Sequence, residues 1–213
     1  MTDFSERLAV LPAFADAQTF ETLRASVLSH LSGDRVHIPA HKRGATVAYR
    51  RVRILLPQVA RFYESEALVR SITDIVGEDV QTTPLYDQSS CSILIYDRPR
   101  DRIGWHYDHN FYNGRHFTAL LSLANECRRE TKLSSARLLV KRNNTEIEIP
   151  TPSNTFVLFE ETAVRHCVTP QGKDELRVIL SMTFCTNPDT TLVKDVQRRF
   201  KDVAYLGIRA LWS

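Results

Sequence analysis

The segment WHYDHNFYNGRH, residues 105–116, places three histidines and one aspartate among aromatic residues. Imidazole and carboxylate groups are costly to bury and are more usual on a protein surface. In a β-strand, residues two apart project from the same face, so a strand here would point His106 and Asp108 together into whatever the sheet encloses. These side chains would supply two of the three ligands of the facial triad that suits non-haem Fe(II). The H-x-D pair alone is a weak signal, because so short a pattern often arises by chance.

A second histidine on a neighbouring strand would complete such a triad. His166, in VRHCVTP after the apolar segment TFVLFE, is the only histidine beyond His116. The interval from Asp108 to His166 has room for about three strands, enough to cross a sandwich and return. A lone histidine after a strand is more often structural than a ligand, so His166 is a candidate that needs further support.

The segment ELRVILSMTF, residues 175–184, alternates in the manner of a strand. One face carries Leu176, Val178, Leu180 and Met182, and the other carries Arg177, Ile179, Ser181 and Thr183. An arginine in so apolar a strand needs a partner, because an unpaired buried charge is very costly. A guanidinium can clamp a carboxylate through two parallel hydrogen bonds. A structural ion pair, or an edge residue that reaches solvent, is the commoner explanation of such an arginine taken alone.

The composition of the chain limits the classes of protein to which it can belong. The chain has 213 residues, of which 43% are hydrophobic and 25% charged, as is ordinary for a soluble domain. It has no apolar run of roughly 18 residues that would span a membrane, and MTDFSERLAVLPAF lacks a signal-peptide pattern, so we expect a cytoplasmic protein. The four cysteines form no CxxC pair and are expected to be reduced. A net charge of +3 permits an anionic substrate without demanding nucleic acid.

The chain divides into two patterns. Asp16 or Thr19 is a candidate cap for a helix through FETLRASVLSHL that ends at Gly33, and LLPQVARFYESEALVRSITDIVG has helical spacing up to Gly77. Between them, HKRGATVAYRRVRI is basic and is expected to be extended, with a solvated face. From about Cys91, short β-branched or aromatic segments separated by polar turns predict a sandwich or barrel.

The tail returns to helical spacing, with Val196, Phe200, Val203 and Leu206 on one side. We find no repeat, low-complexity segment or linker, and therefore predict one domain over residues 1–213.

Taken in order, H-x-D, a later histidine and an arginine eleven residues after it resemble the Fe(II)/2-oxoglutarate-dependent dioxygenases, and above all their prolyl-4-hydroxylase-like branch. The segment from His166 to Pro170 is similar to the H-x-V-x-P of that branch. Ser181 follows Arg177 on the same strand face. Tyr96 lies where such relatives carry a tyrosine that touches 2-oxoglutarate, and Gly114, Arg115 and Thr118 are in the family register. The resemblance covers about residues 90–186.

The sequence also departs from that family. Relatives often have a Gly-Gly-x-Leu turn before the second histidine, where this chain has SSARLLV without glycine. Ser122 stands where some relatives place a tyrosine that binds the cosubstrate. Thr183 stands where the nucleic-acid alkylation-repair members carry a second arginine, which argues against that subgroup.

The resemblance implies an α+β fold, namely a double-stranded β-helix, or jelly roll, with N-terminal helices packed on one sheet and a C-terminal helix. It divides the single domain into a mainly helical support over residues 1–88, a catalytic core over 90–186 and the helix over 190–213.

The resemblance also implies a site. His106, Asp108 and His166 would hold Fe(II), and Arg177, helped by Ser181, would grip the far carboxylate of 2-oxoglutarate. Tyr96 or Thr118 would line the cosubstrate. With O2, the enzyme would hydroxylate a C–H bond and release succinate and CO2. Related halogenases have a small residue in place of the aspartate so that chloride can bind iron. Because this chain has Asp108, we expect hydroxylation or a related oxidation.

The substrate is the least determined part. Arg98, Arg102, His109 and Arg115 are weaker candidates for substrate contacts, because charged loop residues are commonly only solvated. We expect an amino-acid-like, peptide or small-metabolite substrate, and no membrane partner. Nucleic acid is not expected, because the basic stretch around Tyr49 lacks interleaved aromatic residues for base stacking. The oligomeric state is not predicted.

Three other functions are compatible with parts of the pattern. A metallo-hydrolase of the H-x-H-x-D-H type would need a histidine at position 104, where this chain has Gly104. A cupin-type oxygenase would use the same iron ligands without 2-oxoglutarate and would leave Arg177 without a role. A non-enzymatic jelly-roll binding module would make the histidines incidental and would bind no stoichiometric metal.

Overall fold

The computed structural model describes residues 4–38 and 41–198. Its helices are α1 (Ala17–Leu28), α2 (Tyr49–Leu55), α3 (Pro57–Tyr63) and α4 (Glu66–Val76), and residues 192–198 are also helical. Its strands are β1 (Leu8–Leu11), β2 (Asp34–Ile38), β3 (Lys42–Val47), β4 (Gln81–Thr82), β5 (Cys91–Tyr96), β6 (Arg102–His106), β7 (His116–Cys127), β8 (Leu138–Arg142), β9 (Thr145–Ile149), β10 (Phe156–Glu160), β11 (Arg165–Val168) and β12 (Glu175–Cys185).

The strands form a nearly closed antiparallel barrel. Their order is β1-β10-β7-β12-β5-β3-β6-β11-β8-β9, with β2 added to β3 and β4 added to β12. Strand β3 pairs with both β5 and β6, so it closes the seam between the larger set of strands and the smaller set β6-β11-β8-β9. This arrangement is the double-stranded β-helix that the family resemblance implied, in an α+β chain, and it agrees with the barrel that the strand pattern predicted.

Strand alternation separates the core from the interior of the barrel. On β12, the face with Leu176, Val178, Leu180 and Met182 belongs to the main apolar cluster, together with helix residues such as Leu23, Val52 and Ile72. The helices therefore cover the outer face of the larger sheet, where α1 contacts β7 and α2 contacts β5. The opposite face of β12 lines an interior cavity. The predicted alternation is confirmed, and Arg177 lies on the face that points inward.

The N-terminal region contains more strand than its periodicity indicated. Strands β1 to β4 all join the sheet, and within HKRGATVAYRRVRI only residues 42–47 are extended, while α2 occupies the rest. The side chain of Asp16 caps α1 by accepting from the Thr19 N–H at 2.9 Å, and the helix ends before Gly33. The long helical stretch is divided by Ser65, which caps α4. Gly77 ends α4 with a φ of 74°, as expected for a left-handed C-cap.

The described residues include only the beginning of the predicted C-terminal helix. Residues 192–198 are helical and include Val196, whereas Phe200, Val203 and Leu206 lie outside the described residues. All four cysteines are free. Within residues 4–38 and 41–198, no helix is long and apolar enough to cross a membrane.

A buried carboxylate fixes the turn that leads into β6. Asp101 is fully buried, and Arg35 on β2 donates to both of its oxygens at 2.5 and 2.7 Å. The backbone N–H groups of Asp97 and Arg98 also donate to Asp101. Because four hydrogen bonds from three donor groups converge on one carboxylate, the turn from β5 to β6 has a defined shape, and β6 begins at a fixed point.

We expect Arg35→Met to lower the free energy of unfolding by about 2 kcal/mol, because it leaves the buried Asp101 with its backbone donors and only the longer ion pair to Arg43, at 3.7 Å. The matched control is Arg24→Met, whose partners Glu21 and Glu126 are exposed, and which should cost less than about 1 kcal/mol. Urea denaturation of both variants measures the difference. Equal effects would contradict an anchoring role for Arg35.

Candidate metal centre

Three side chains from two neighbouring strands converge at the barrel interior. His106 ends β6 and is the register partner of His166 on β11, and their ring centroids are 4.2 Å apart. Asp108 follows β6, and its Oδ1 lies 3.2 Å from Nε2 of His106 and 4.0 Å from Nε2 of His166. One ligand atom from each residue falls within 4.8 Å of the others. The structure thus brings His166 next to the His106–Asp108 pair, as the predicted triad requires.

Backbone carbonyls orient both imidazoles. Nδ1 of His106 contacts the carbonyl oxygen of Gly104 at 2.8 Å, and Nδ1 of His166 contacts that of Val164 at 3.2 Å. A carbonyl only accepts, so each Nδ1 carries a proton, and each Nε2, on the side of Asp108, is the nitrogen left to bind a metal. This arrangement is typical of metal-binding histidines, whose other nitrogen donates to a backbone or carboxylate oxygen.

Burial and the contacts within the triad shift the pKa values of its three residues. Burial alone would raise the pKa of Asp108, but His166, His106 and the hydroxyl of Thr118 hold it below its usual range. Burial lowers the pKa of His166. For His106, burial acts in the same direction, yet the hydrogen bond and charge of Asp108 raise its pKa. The site therefore presents an ionised carboxylate beside two imidazole nitrogens, a donor set that suits a divalent transition metal and leaves coordination positions open.

The triad opens into a cavity of about 150 Å³ inside the barrel. Apolar side chains from six strands line much of it, namely Leu94, Ile103, Leu120, Leu138, Val168 and Ile179. Polar side chains line the remainder, including Thr46, Ser92, Ser181 and Thr183. The metal candidates and Arg177 border this same cavity.

Arg177 is a buried cation without an acidic partner among the described residues. Its side chain is 1% exposed. Its Nη1 donates to Thr151 Oγ1 at 2.7 Å and to the Ala136 carbonyl at 3.4 Å, while Nε has no hydrogen-bond partner. Burial, opposed by Tyr96 and aided by the nearby Arg137, lowers the pKa of Arg177 to about 10. A guanidinium held in this way is ready to bind an anion that enters the cavity.

Tyr96 and Ser181 lie at different positions along the barrel relative to Arg177. Tyr96 is the register partner of Arg177 on β5, and burial raises its pKa to about 12, so its phenol remains a donor. Ser181 faces the cavity opposite Ser92. A strand rises about 3.3 Å per residue, so the Cα of Ser181 lies about 13 Å along β12 from that of Arg177. Within the described chain, the hydroxyls of Tyr96, Ser92 and Ser181 have no hydrogen-bond partner.

The predicted substrate residues fall into two groups. His109 lines the cavity, whereas Arg98 and Arg102 do not. Arg115 pairs instead with Glu78 and with Glu160, the latter at 2.8 Å, and its guanidinium covers the ring of Phe117. The structure therefore gives Arg115 a structural role between elements, because its guanidinium is already paired outside the cavity.

Sequence reasoning missed several residues that line the cavity. Lys42 belongs to the basic stretch that was expected to have a solvated face, yet it is 6% exposed and donates to Thr46 Oγ1 at 3.3 Å. His116 and Glu161 are 4% and 3% exposed, and Nδ1 of His116 contacts Oε2 of Glu161. The signal for Glu161 was its position directly after the buried strand β10. No local pattern reveals Lys42, because it faces inward only once β3 closes the seam.

We expect Arg177→Met to stabilise the ligand-free protein by about 1–2 kcal/mol near neutral pH. A cation whose pKa is lowered by folding destabilises the fold while it is charged, and this cost persists until the pH rises through about 10. Arg177→Lys, which keeps the charge, should not be stabilising. Urea denaturation without ligand provides the test, and a destabilised Arg177→Met would indicate that the bonds to Thr151 and Ala136 outweigh the burial of the charge.

Comparisons with solved structures agree with this architecture. A 2OG-Fe(II) oxygenase family oxidoreductase from Burkholderia pseudomallei aligns with a TM-score of 0.66 and 15% identity, over 87% of this chain and 88% of that chain. A Pseudomonas putida prolyl-4-hydroxylase aligns with a TM-score of 0.58 and 16% identity, over 84% and 91%. SnoN, a non-heme alpha ketoglutarate dependent epimerase of nogalamycin biosynthesis, aligns with a TM-score of 0.66 and 13% identity, over 85% and 77%.

Sequence comparison adds nothing to these alignments, since neither a family model nor a curated protein matches the chain. At identities this low, structural similarity establishes the fold rather than the reaction. The chain has the double-stranded β-helix fold that prolyl-4-hydroxylases and other 2OG-Fe(II) oxygenases share.

Proposed function

We propose that the protein is an Fe(II)- and 2-oxoglutarate-dependent oxygenase that hydroxylates a C–H bond of an amino-acid-like, peptide or small-metabolite substrate. The observation that carries this proposal is the occurrence, in one cavity, of a two-histidine, one-carboxylate group and a buried arginine that has no acidic partner in the part of the chain that the structure describes. Either feature alone has several explanations. Together they match the needs of a metal and of a dicarboxylate that must reach it.

The triad fits ferrous iron. His106, Asp108 and His166 would supply two nitrogen donors and one oxygen donor, and the backbone carbonyls already orient both imidazoles. Asp108 would occupy the coordination position that a halide needs in the related halogenases. The proposal therefore excludes halogenation. When bound, iron and 2-oxoglutarate supply the oxidation, in which O2 is consumed and succinate and CO2 are released.

Arg177 and Tyr96 would bind the far carboxylate of 2-oxoglutarate. The guanidinium offers Nε, and the phenol offers its hydroxyl, on neighbouring strands at the same level of the barrel. A bound carboxylate would also neutralise the buried charge of Arg177. The apolar residues Leu120, Leu138 and Val168 would exclude water around the cosubstrate, which strengthens each polar contact.

Ser181 and Thr118 are not assigned to the far carboxylate of 2-oxoglutarate, which Arg177 would bind. Both line the cavity, but Ser181 lies far along β12 from the guanidinium, at the level of Ser92 and Leu120. We therefore place Ser181 along the length of the cosubstrate or beside the substrate. Thr118 bonds to Asp108 at 2.9 Å and is treated with the metal site.

The kind of oxidation depends on the substrate. The fold also occurs in SnoN, which is an epimerase, so hydroxylation is a narrower proposal than oxygenation. His109 and the exposed Tyr107 flank the triad residues and line the cavity, and they are our candidates for substrate contacts. A cupin-type oxygenase without 2-oxoglutarate would leave Arg177 as a destabilising charge with no use, and no observation favours it.

We expect Asp108→Ala and His166→Ala to lose Fe(II) on anaerobic reconstitution and to lose succinate formation from 2-oxoglutarate. Each change removes one of three ligands from a site that has no spare donor of the same geometry. The control is His37→Ala, since this histidine is exposed on β2. Metal analysis and succinate assays measure both effects, and full turnover by Asp108→Ala would refute the proposed centre.

We expect Arg177→Met to raise the KM for 2-oxoglutarate by about 30- to 1,000-fold, which corresponds to the loss of a buried charge-assisted contact. Arg177→Lys should lie between this variant and the wild type, because it keeps the charge but loses the planar fork. Succinate release at varied 2-oxoglutarate provides the measurement. Metal-dependent oxidation that needs no 2-oxoglutarate would instead support the cupin-type alternative.

A panel of amino acids, peptides and small metabolites would identify the substrate class. A true substrate is expected to accelerate succinate release above the slow rate seen without substrate and to gain an oxygen atom, as detected by mass spectrometry. If no member of the panel gains oxygen, the amino-acid-like substrate class is wrong.

A further inference from the structure

A row of buried polar side chains extends from Asp108 away from the metal site. Thr118 Oγ1 lies 2.9 Å from Asp108 Oδ2 and 2.8 Å from Glu161 Oε1. The other oxygen of Glu161 contacts Nδ1 of His116. Thr118, Glu161 and His116 are each at most 4% exposed. We refer to these three residues as the Asp108 support.

The two oxygens of Asp108 have different surroundings. Oδ1 is the atom that faces both imidazoles, at 3.2 Å from His106 and 4.0 Å from His166. Oδ2 is the atom that receives the hydrogen bond from Thr118. The contact with Thr118 therefore selects which oxygen is presented to a metal and fixes the plane of the carboxylate.

The backbone around Asp108 explains why such a contact is needed. His106 and His166 lie within paired strands, so the sheet holds their main chain. Residues 107–110 have no regular secondary structure, and Asp108 is the one triad member on such a segment. Its side chain cannot rely on a strand ladder for its orientation, and Thr118, on the long central strand β7, provides a rigid attachment.

The composition of the support is costly for a purely structural element. Three polar or ionisable side chains occupy a buried wall where apolar residues would be more stable. Neither nitrogen of His116, nor Oε2 of Glu161, has a partner with hydrogen-bond geometry among the described residues, so the row is not a self-sufficient network. Thr118 is the member that lies within hydrogen-bond distance of both a metal candidate and Glu161, whereas His116 contacts Glu161.

We propose that Thr118 is a positioning residue for the metal site, which holds Asp108 with Oδ1 directed at the metal, and that Glu161 and His116 hold Thr118 in turn. This inference rests on the proposed function, because it assumes that the triad binds a metal. Outer contacts of metal ligands typically change metal affinity 10- to 100-fold when they are removed, and we assign that effect to the Thr118 hydroxyl.

The experiment compares Mn(II) affinity in Thr118→Val, Thr118→Ser and Thr183→Val, with free Mn(II) followed by electron paramagnetic resonance. Thr118→Val keeps the shape and loses the hydroxyl, while Thr118→Ser keeps the hydroxyl. Thr183 is the register partner of Thr118 on β12 and lines the same cavity, but its hydroxyl bonds to Thr83 at 2.7 Å. Thr183→Val is therefore a matched control for burying a valine in this wall.

We expect Thr118→Val to weaken Mn(II) binding by about 10- to 100-fold, while Thr118→Ser and Thr183→Val stay close to the wild type. Glu161→Met should weaken binding less than Thr118→Val, since it acts through Thr118. Thermal unfolding without metal is measured alongside. A loss of affinity that Thr118→Ser restores cannot be explained by a general loss of stability.

Three results would overturn the inference. If Thr118→Val binds Mn(II) as tightly as the wild type, the hydroxyl does not position Asp108. If Thr183→Val loses as much affinity as Thr118→Val, the effect belongs to the cavity wall as a whole. If the wild-type protein itself does not bind Mn(II), the proposed function fails first. In the first two cases the metal site and the oxygenase proposal stand unchanged.

Discussion

The antiparallel register between β6 and β11 is the constraint on which the site depends. It sets His106 directly opposite His166, so two imidazoles from distant parts of the chain share one inward face. A slip of one residue in either strand would turn one imidazole to the outer face, because strand side chains alternate with a period of two. The turn anchored by Asp101 and the seam closed by β3 both fix β6, and thereby protect this register.

The barrel concentrates opposite charges at two separate points. Asp108 is held ionised beside the imidazoles, while Arg177 is buried at another level without a carboxylate of its own. Both arrangements oppose the preference of an apolar interior for neutral groups. A molecule that joins a metal at one point and an anion-binding group at the other would relieve both. The wall residues between them are largely apolar, which favours a ligand with a short hydrocarbon segment between its polar ends.

Thr118 connects the metal site to the rest of the cavity wall. It was predicted to line a cosubstrate, and it does lie on the cavity, but its hydroxyl contacts Asp108 and Glu161. Arg115 was predicted to face substrate and is instead paired with Glu78 and Glu160. In both cases the family register located the strand correctly, while the partner of the side chain depended on residues far along the chain.

The sequence by itself determined the alternation of β12, with Arg177, Ile179, Ser181 and Thr183 on one face, and the change from helix to strand near Cys91. These features follow from local periodicity, which a single strand or helix imposes whatever surrounds it. Only the tertiary structure decided which face of β12 points inward, that His166 meets His106 and Asp108, and that Lys42 and Glu161 are buried in the cavity. The reason is physical: which residues meet across a barrel is set by strand order, register and seam closure, which depend on pairing between segments distant in the chain.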